Sequence, residues 1–106
     1  MINQTYLPFE LVVVDDGSTD STLSRLRVWE KRDGRIRVLA CEHAGIITAL
    51  NTGLQACQAP LIARMDADDR AHPERLAKQV ELLENNPGLA VCASLVEGFP
   101  VETVRE

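Results

Sequence analysis

Phe9-Glu10-Leu11-Val12-Val13-Val14-Asp15-Asp16-Gly17-Ser18-Thr19-Asp20 is the stretch that decides the fold. Phe9 to Val14 is short, apolar and β-branched, the composition of a strand buried in a parallel sheet. It closes on the turn Asp15-Asp16-Gly17-Ser18. Ser18, Thr19 and Asp20 then start a helix, because their side-chain oxygens can accept hydrogen bonds from first-turn N–H groups that have no partner in the helix. Leu23, Leu26 and Trp29 or Glu30 continue at helical spacing until Asp33-Gly34 stops the run, and Lys31 and Arg32 suit the negative end of the helix dipole. Arg35-Ile36-Arg37-Val38-Leu39 alternates polar and apolar, as a strand with one wet face does. The order is strand, helix, strand.

Outward from that unit the pattern repeats. Cys41 to Gly45 reads as a loop, and Ile46, Ile47, Leu50, Leu54 and Cys57 fall on one stripe of a second helix expected to cover the sheet. Pro60 to Met65 reads as another buried strand, followed by Asp66-Ala67-Asp68-Asp69. Pro73 suits the first position of a third helix, with Leu76, Val80 and Leu83 on its apolar stripe and Asn85-Asn86-Pro87-Gly88 ending it. Leu89 to Val96 reads as a further strand, and Val101 to Val104 as a short return strand. Strands and helices alternating at this length predict an α/β fold, a three-layer α/β/α sandwich with a mostly parallel sheet and right-handed crossovers.

The chain's 106 residues suit a single domain, and 45% hydrophobic with 25% charged residues suits an ordinary globular protein. Eleven basic against 16 acidic residues give a net charge of -5, with the basic ones scattered, so no nucleic-acid partner is expected. Cys41, Cys57 and Cys92 are odd in number and unpaired with His at any zinc-ligand interval. They read as reduced, buried thiols of a cytoplasmic protein. No apolar run reaches the roughly 18 residues of a membrane span, so any membrane association would come through partners.

Both acidic stretches follow a predicted strand, so in a parallel sheet they share its carboxyl edge, where such folds bind ligands. Helix capping alone would account for Ser18, Thr19 and Asp20 but leaves Asp15 and Asp16 unexplained. Asp66, Asp68 and Asp69 crowd three carboxylates into four positions, each like-charged pair costing about 1 to 4 kcal/mol at about 4 Å in water-like to surface-like dielectric. A bound cation relieves that repulsion, and hard oxygen donors favour Mg²⁺, Mn²⁺ or Ca²⁺. Together the turns offer acceptors for a base or sugar and ligands for a metal-bound diphosphate, a combination that suits a nucleotide sugar. An EF-hand loop starting at Asp66 fails, since it lacks Gly at its sixth position and Glu at its twelfth. An aspartyl phosphotransferase fails as well, with Arg70 where Thr or Val is wanted.

Phe9 to Asp20, Glu42 to Gly45 with Ala49 to Leu54, and Met65 to Asp69 with His72 to Leu76 closely resemble, in order and spacing, family 2 glycosyltransferases. The resemblance implies a partial GT-A fold, a Rossmann-like nucleotide-diphospho-sugar transferase architecture lacking its first strand and C-terminal half. It also implies a nucleotide-sugar donor, a UDP-sugar by expectation, and a divalent metal, Mn²⁺ or Mg²⁺, in an inverting transfer to a sugar, lipid or protein acceptor. By position, Asp15, Asp16, Ser18 and Asp66 would bind the nucleotide sugar, Asp68 with Asp66 would hold the metal, and Asp69 would support them. The family's general base has no match here; Glu97 and Glu102 read as solvated acids. Leu50 stands where many relatives have Arg, Ile46 where a basic or polar residue is common, and His43 where Asn is commoner. His43 reads as a surface residue and His72 as a helix-start residue. The alternative reading is a catalytically inactive truncated domain serving as a nucleotide-binding or oligomeric module. Exposed strand edges would favour a homo-oligomer.

Overall fold

The computed structural model describes residues 3–67 and 69–94, whose elements are β1 (Leu11–Asp16), α1 (Thr22–Arg32), β2 (Ile36–Cys41), α2 (Ile46–Ala56) and α3 (Arg75–Asn85). They fall into two compact units: Pro8–Ile62, and the described residues of Met1–Leu7 with Ala63–Glu106.

The first unit is built on β1 and β2, which pair in parallel from Leu11 opposite Ile36 to Asp16 opposite Cys41. The α/β class and the parallel pairing are as expected. The strand boundaries shift by about two residues: β1 carries Asp15 and Asp16 within its last turn of ladder rather than in the turn that follows. Ile36 and Val38, two apart on β2, are buried and point to one face. On the same strand the N–H of Val38 donates to Glu30 (2.7 Å) and its carbonyl accepts from Arg27 (3.3 Å). Two side chains of α1 thereby satisfy backbone groups of a strand that pairs only with β1 among the described residues, and so blunt its capacity to template another chain. The Val38 N–H, with Arg27 second, holds the Glu30 carboxyl below its usual range. Trp29, an alternative occupant of the inner stripe, is instead exposed, with the Arg32 guanidinium 5.6 Å from its ring centroid.

The second helix departs from expectation in how it faces the sheet. It lies on β1, but Ile46, Ile47, Leu50 and Leu54 are all exposed, and the half-buried positions are Ala49, Thr52, Gly53 and Ala56. A Cβ built on Gly53 would sit 3.1 Å from Val14 Cγ2, so a small-residue face lets the helix approach closely, and the large apolar stripe is turned away. The three cysteines are free and half-buried rather than buried, and Cys57 Sγ donates to the Gly53 carbonyl at 3.2 Å.

Residues 60–65 form no strand, in contrast to the expectation from their apolar composition. A parallel strand needs a neighbour's ladder for its backbone groups, and β1 and β2 pair only with each other among the described residues. Likewise Leu89 to Ser94 is not a strand; residues 95 and 96 and the expected return strand lie outside the described residues.

In the second unit α3 begins at Arg75, two residues after Pro73, with Glu74 at its N-cap making no side-chain cap. The expected stripe holds: Leu76 is buried, Val80 and Leu83 are half-buried. Asn86 ends the helix, its side chain donating to the Leu82 carbonyl (2.8 Å) before the turn closed by Leu89 N–H to Asn86 O (2.9 Å).

Candidate functional site

At the carboxyl end of β1, alternation sends consecutive carboxylates to different surroundings. Asp15 is buried, and its carboxylate accepts from the Ser18 hydroxyl and, at 3.4 Å, from the Ser18 N–H. Asp16 is partly open, its side chain 26% exposed. It accepts from the N–H groups of Ala44 (3.0 Å) and Gly45 (3.2 Å), with His43 Nδ1 3.1 Å from its Oδ2 and 3.2 Å from its carbonyl oxygen. Because β1 and β2 run in parallel, the turn after one and the loop after the other leave the sheet at the same edge. Asp16 fastens the two together.

Gly17 makes that fastening possible. Its φ is +74°, and a Cβ there would lie 2.7 Å from the backbone nitrogen of His43, closer than non-bonded atoms tolerate. Next along the turn, Asp20 accepts from the Thr22 N–H at 3.0 Å, and the Thr22 hydroxyl and N–H hold its carboxyl below the usual range. Of the expected capping set, Asp20 thus serves the start of α1, whereas Ser18 serves Asp15. His43 is 79% exposed, in keeping with a surface residue, yet its ring joins the Asp16 cluster.

Asp66 and Asp69 belong to the other unit. Asp69 N–H donates to the Asp66 carbonyl (3.1 Å), closing a tight turn, and the Asp66 carboxylate, 54% exposed, stands 3.4 Å from Arg64. Asp68 lies outside the described residues, as do Glu97 and Glu102. Among the described residues no group of three His, Cys, Asp or Glu side chains is placed to hold a metal ion. His72 works at the start of α3: its ring Nδ1 accepts from the Glu74 N–H (3.1 Å) and its carbonyl from the Arg75 N–H (2.9 Å).

The sequence reading missed Gln4, which is almost wholly buried at 3% exposure. Its Nε2 donates to the His72 carbonyl (2.7 Å) and its Oε1 accepts from the Leu76 N–H (3.0 Å), while the neighbouring Thr5 N–H donates to the Pro73 carbonyl (2.8 Å). Nothing in local sequence spacing signals a cap supplied from about 70 positions away.

The family model for Glycosyl transferase family 2 matches residues 1–106. The chain belongs to that family. Its relatives include a glycosyltransferase of Haemophilus influenzae, uncharacterized by name, 43% identical over 98 residues, covering 92% of this chain and 30% of the relative. The putative teichuronic acid biosynthesis glycosyltransferase TuaG of Bacillus subtilis is 36% identical, covering 78% of this chain and 33% of its own. The Escherichia coli protein WfgD, named as a UDP-Glc:alpha-D-GlcNAc-diphosphoundecaprenol beta-1,3-glucosyltransferase, is 38% identical, with 81% and 34% covered. The chain therefore spans about a third of the length of these family members. Within the family match lie both acidic stretches and the His72 to Leu76 segment that starts α3. No helix among the described residues is long and apolar enough to cross a membrane.

Proposed function

We propose that residues 1–106 are part of one nucleotide-sugar-binding domain that holds the donor, a UDP-sugar, for glycosyl transfer to a sugar, lipid or protein acceptor in polysaccharide biosynthesis. The observation that carries this reading is the family match along the whole chain, which includes both acidic turns in order. The names of TuaG, which gives teichuronic acid biosynthesis as putative, and WfgD, which gives UDP-Glc, support the pathway and donor class.

In this reading Asp16 contacts the nucleoside base. A carboxylate has about four acceptor sites. The contacts from Ala44, Gly45 and His43 leave room for a base N–H, and the side chain is partly open. Asp15, buried and engaged with Ser18, orients the turn on which that contact depends. Asp66 and Asp68 hold Mn²⁺ or Mg²⁺: carboxylate oxygens suit either ion, and the Asp66 carboxylate is exposed and open to a ligand. A divalent cation bound there would offset charge developing on the leaving diphosphate. Asp66 brings a negative charge that the nearby Arg64 partly balances, and the turn closed by Asp69 N–H sets its backbone.

A second reading, a nucleotide-binding or oligomeric module without transfer activity, draws on the exposed Ile46, Ile47, Leu50 and Leu54 of α2, a face suited to a homo-oligomer. Calorimetric titration of UDP and UDP-sugars with and without Mn²⁺, on the wild-type chain and Asp68→Asn, tests the first. Metal-dependent binding lost in the variant supports it, and absence of nucleotide binding with metal present rejects it. Sugar transfer or donor hydrolysis by the chain would reject the second.

A further inference from the structure

We infer that the outward face of α1 is a contact surface for an anionic lipid bilayer, touched directly and reversibly. All the residues involved lie in the unit Pro8–Ile62, and the inference is independent of the donor reading.

Basic residues that look scattered along the sequence gather once α1 is wound. Leu23, Leu26 and Glu30 are its half-buried positions, and Glu30 with Arg27 is spent on the backbone of Val38. Arg25, Val28, Trp29 and Arg32, spaced by three and four residues, share the opposite face, and all four are exposed. Val28 is 47% and Trp29 44% exposed, and the Arg32 guanidinium lies over the Trp29 ring. Lys31 is exposed at the margin of that face.

The acids nearby are already engaged. Glu30 pairs with Arg27, Asp33 with Arg35 and Glu10 with Arg37, whereas Arg25, Lys31 and Arg32 make no ion pair among the described residues. Asp20 feels Arg25, but its carboxylate is held by Thr22. The helix dipole accounts for Lys31 and Arg32 in the last turn. It disfavours a cation in the first turn, where Arg25 stands, and explains neither Val28 nor Trp29. The other helices lack this character: α2 has no charged residue, and α3 balances two basic residues with two acidic ones.

A tryptophan and a valine set among unpaired cations match the boundary of an anionic bilayer. The indole sits at headgroup depth, and the arginine stems lie along apolar surface while their guanidinium groups reach lipid phosphates. In a chain of net charge -5 such attraction is confined to this face, so it also orients the molecule. Two arginines, a lysine and one indole give weak, reversible attachment, sensitive to salt.

The test sediments the chain with phosphatidylcholine vesicles, with and without phosphatidylglycerol, and follows the emission of Trp29, the sole tryptophan. Expected are binding that requires phosphatidylglycerol and weakens as salt rises, and Trp29 emission that moves to shorter wavelength and is quenched by brominated lipid chains. Arg25→Gln and Arg32→Gln should each weaken binding about fivefold, the share of one basic residue near an anionic surface. Lys78→Gln on α3 should leave it unchanged, and Trp29→Ala should weaken sedimentation, with circular dichroism checking that each variant folds. If Trp29→Ala does not fold, the two arginine variants decide. No sedimentation with phosphatidylglycerol, equal binding to phosphatidylcholine alone, or binding that leaves Trp29 emission unchanged overturns the proposal. So does an equal loss in Lys78→Gln. Polyglutamate that binds as tightly as the vesicles, with the same change at Trp29, would mark an acidic protein as the partner and overturn the lipid assignment.

Discussion

Gly17→Ala should be the most damaging single-methyl change in the unit Pro8–Ile62. Two costs add. Holding alanine at a φ of +74° costs about 1 to 2 kcal/mol. The new Cβ would also stand 2.7 Å from His43 N and 3.0 Å from its Cβ, so the loop must retreat. Retreat pulls the Ala44 and Gly45 N–H groups off Asp16, and at a half-exposed site each bond contributes about 0.5 to 1 kcal/mol. The sum is about 2 to 4 kcal/mol, a large share of the stability a chain this short commands. Trp29 is the sole tryptophan and lies in this unit, so urea unfolding followed by its fluorescence reports the right transition. Gly34→Ala is the control, since a Cβ there meets nothing within 4 Å and its φ is not positive. A Gly17→Ala midpoint within about 0.5 kcal/mol of that control would refute the reasoning, since ordinary surface changes fall in that range. So would retention of exchange protection at the Ala44 and Gly45 amides.

Asp33 is held down to about 2 by the Arg35 side chain and then its N–H, so its folded value lies below the unfolded one of about 3.9. Its contribution is therefore fully present above about pH 4 and is lost as pH falls toward about 2; an NMR titration of its carboxyl should find the midpoint near the lower figure, and Asp33→Asn should remove that part of the acid dependence. Gly53→Ala should be near neutral, a helix-propensity gain of about 1 kcal/mol opposed by the 3.1 Å contact with Val14, but stabilising in a Val14→Ala background; a cycle of urea midpoints with no coupling would refute the contact. Ile47, 74% exposed on the apolar face of α2, should drive self-association at high concentration, and Ile47→Glu should shift light scattering toward the monomer.

The βαβ core was legible because each of its signals had one physical meaning. A β-branched run, an acid-rich turn, a helix stopped by Asp33-Gly34 and an alternating strand admit few arrangements, and β1, α1 and β2 follow them to within about two residues. The segment that forms no strand, residues 60–65, is apolar at Leu61, Ile62, Ala63 and Met65 but has one β-branched residue where β1 has three. Composition reports that a segment can be buried; whether it pairs depends on a neighbouring ladder, which no property of the segment encodes. For α2, periodicity identified the helix and its stripe, but the choice of packed face turned on Gly53. Close approach to Val14 favoured the small residues over Ile46, Ile47, Leu50 and Leu54.

The site divides along the same line. Acidic residues at a sheet edge are visible in sequence, because carboxylates there demand a partner. Which partner each finds is not, and the difference alters their roles. Asp15 and Asp16 are adjacent and chemically identical, yet strand alternation buries one against Ser18 and leaves the other to gather three donors from residues 43–45. The backbone of His43 reaches that position only because residue 17 has no side chain. Gln4 is the stronger case: a polar residue near the start of the chain gives no signal until the fold brings it to His72 and Leu76. Residues that present chemistry announce themselves by type, whereas residues that hold chemistry in place are defined by contacts distant in sequence. In this chain the second kind includes a glycine and a glutamine.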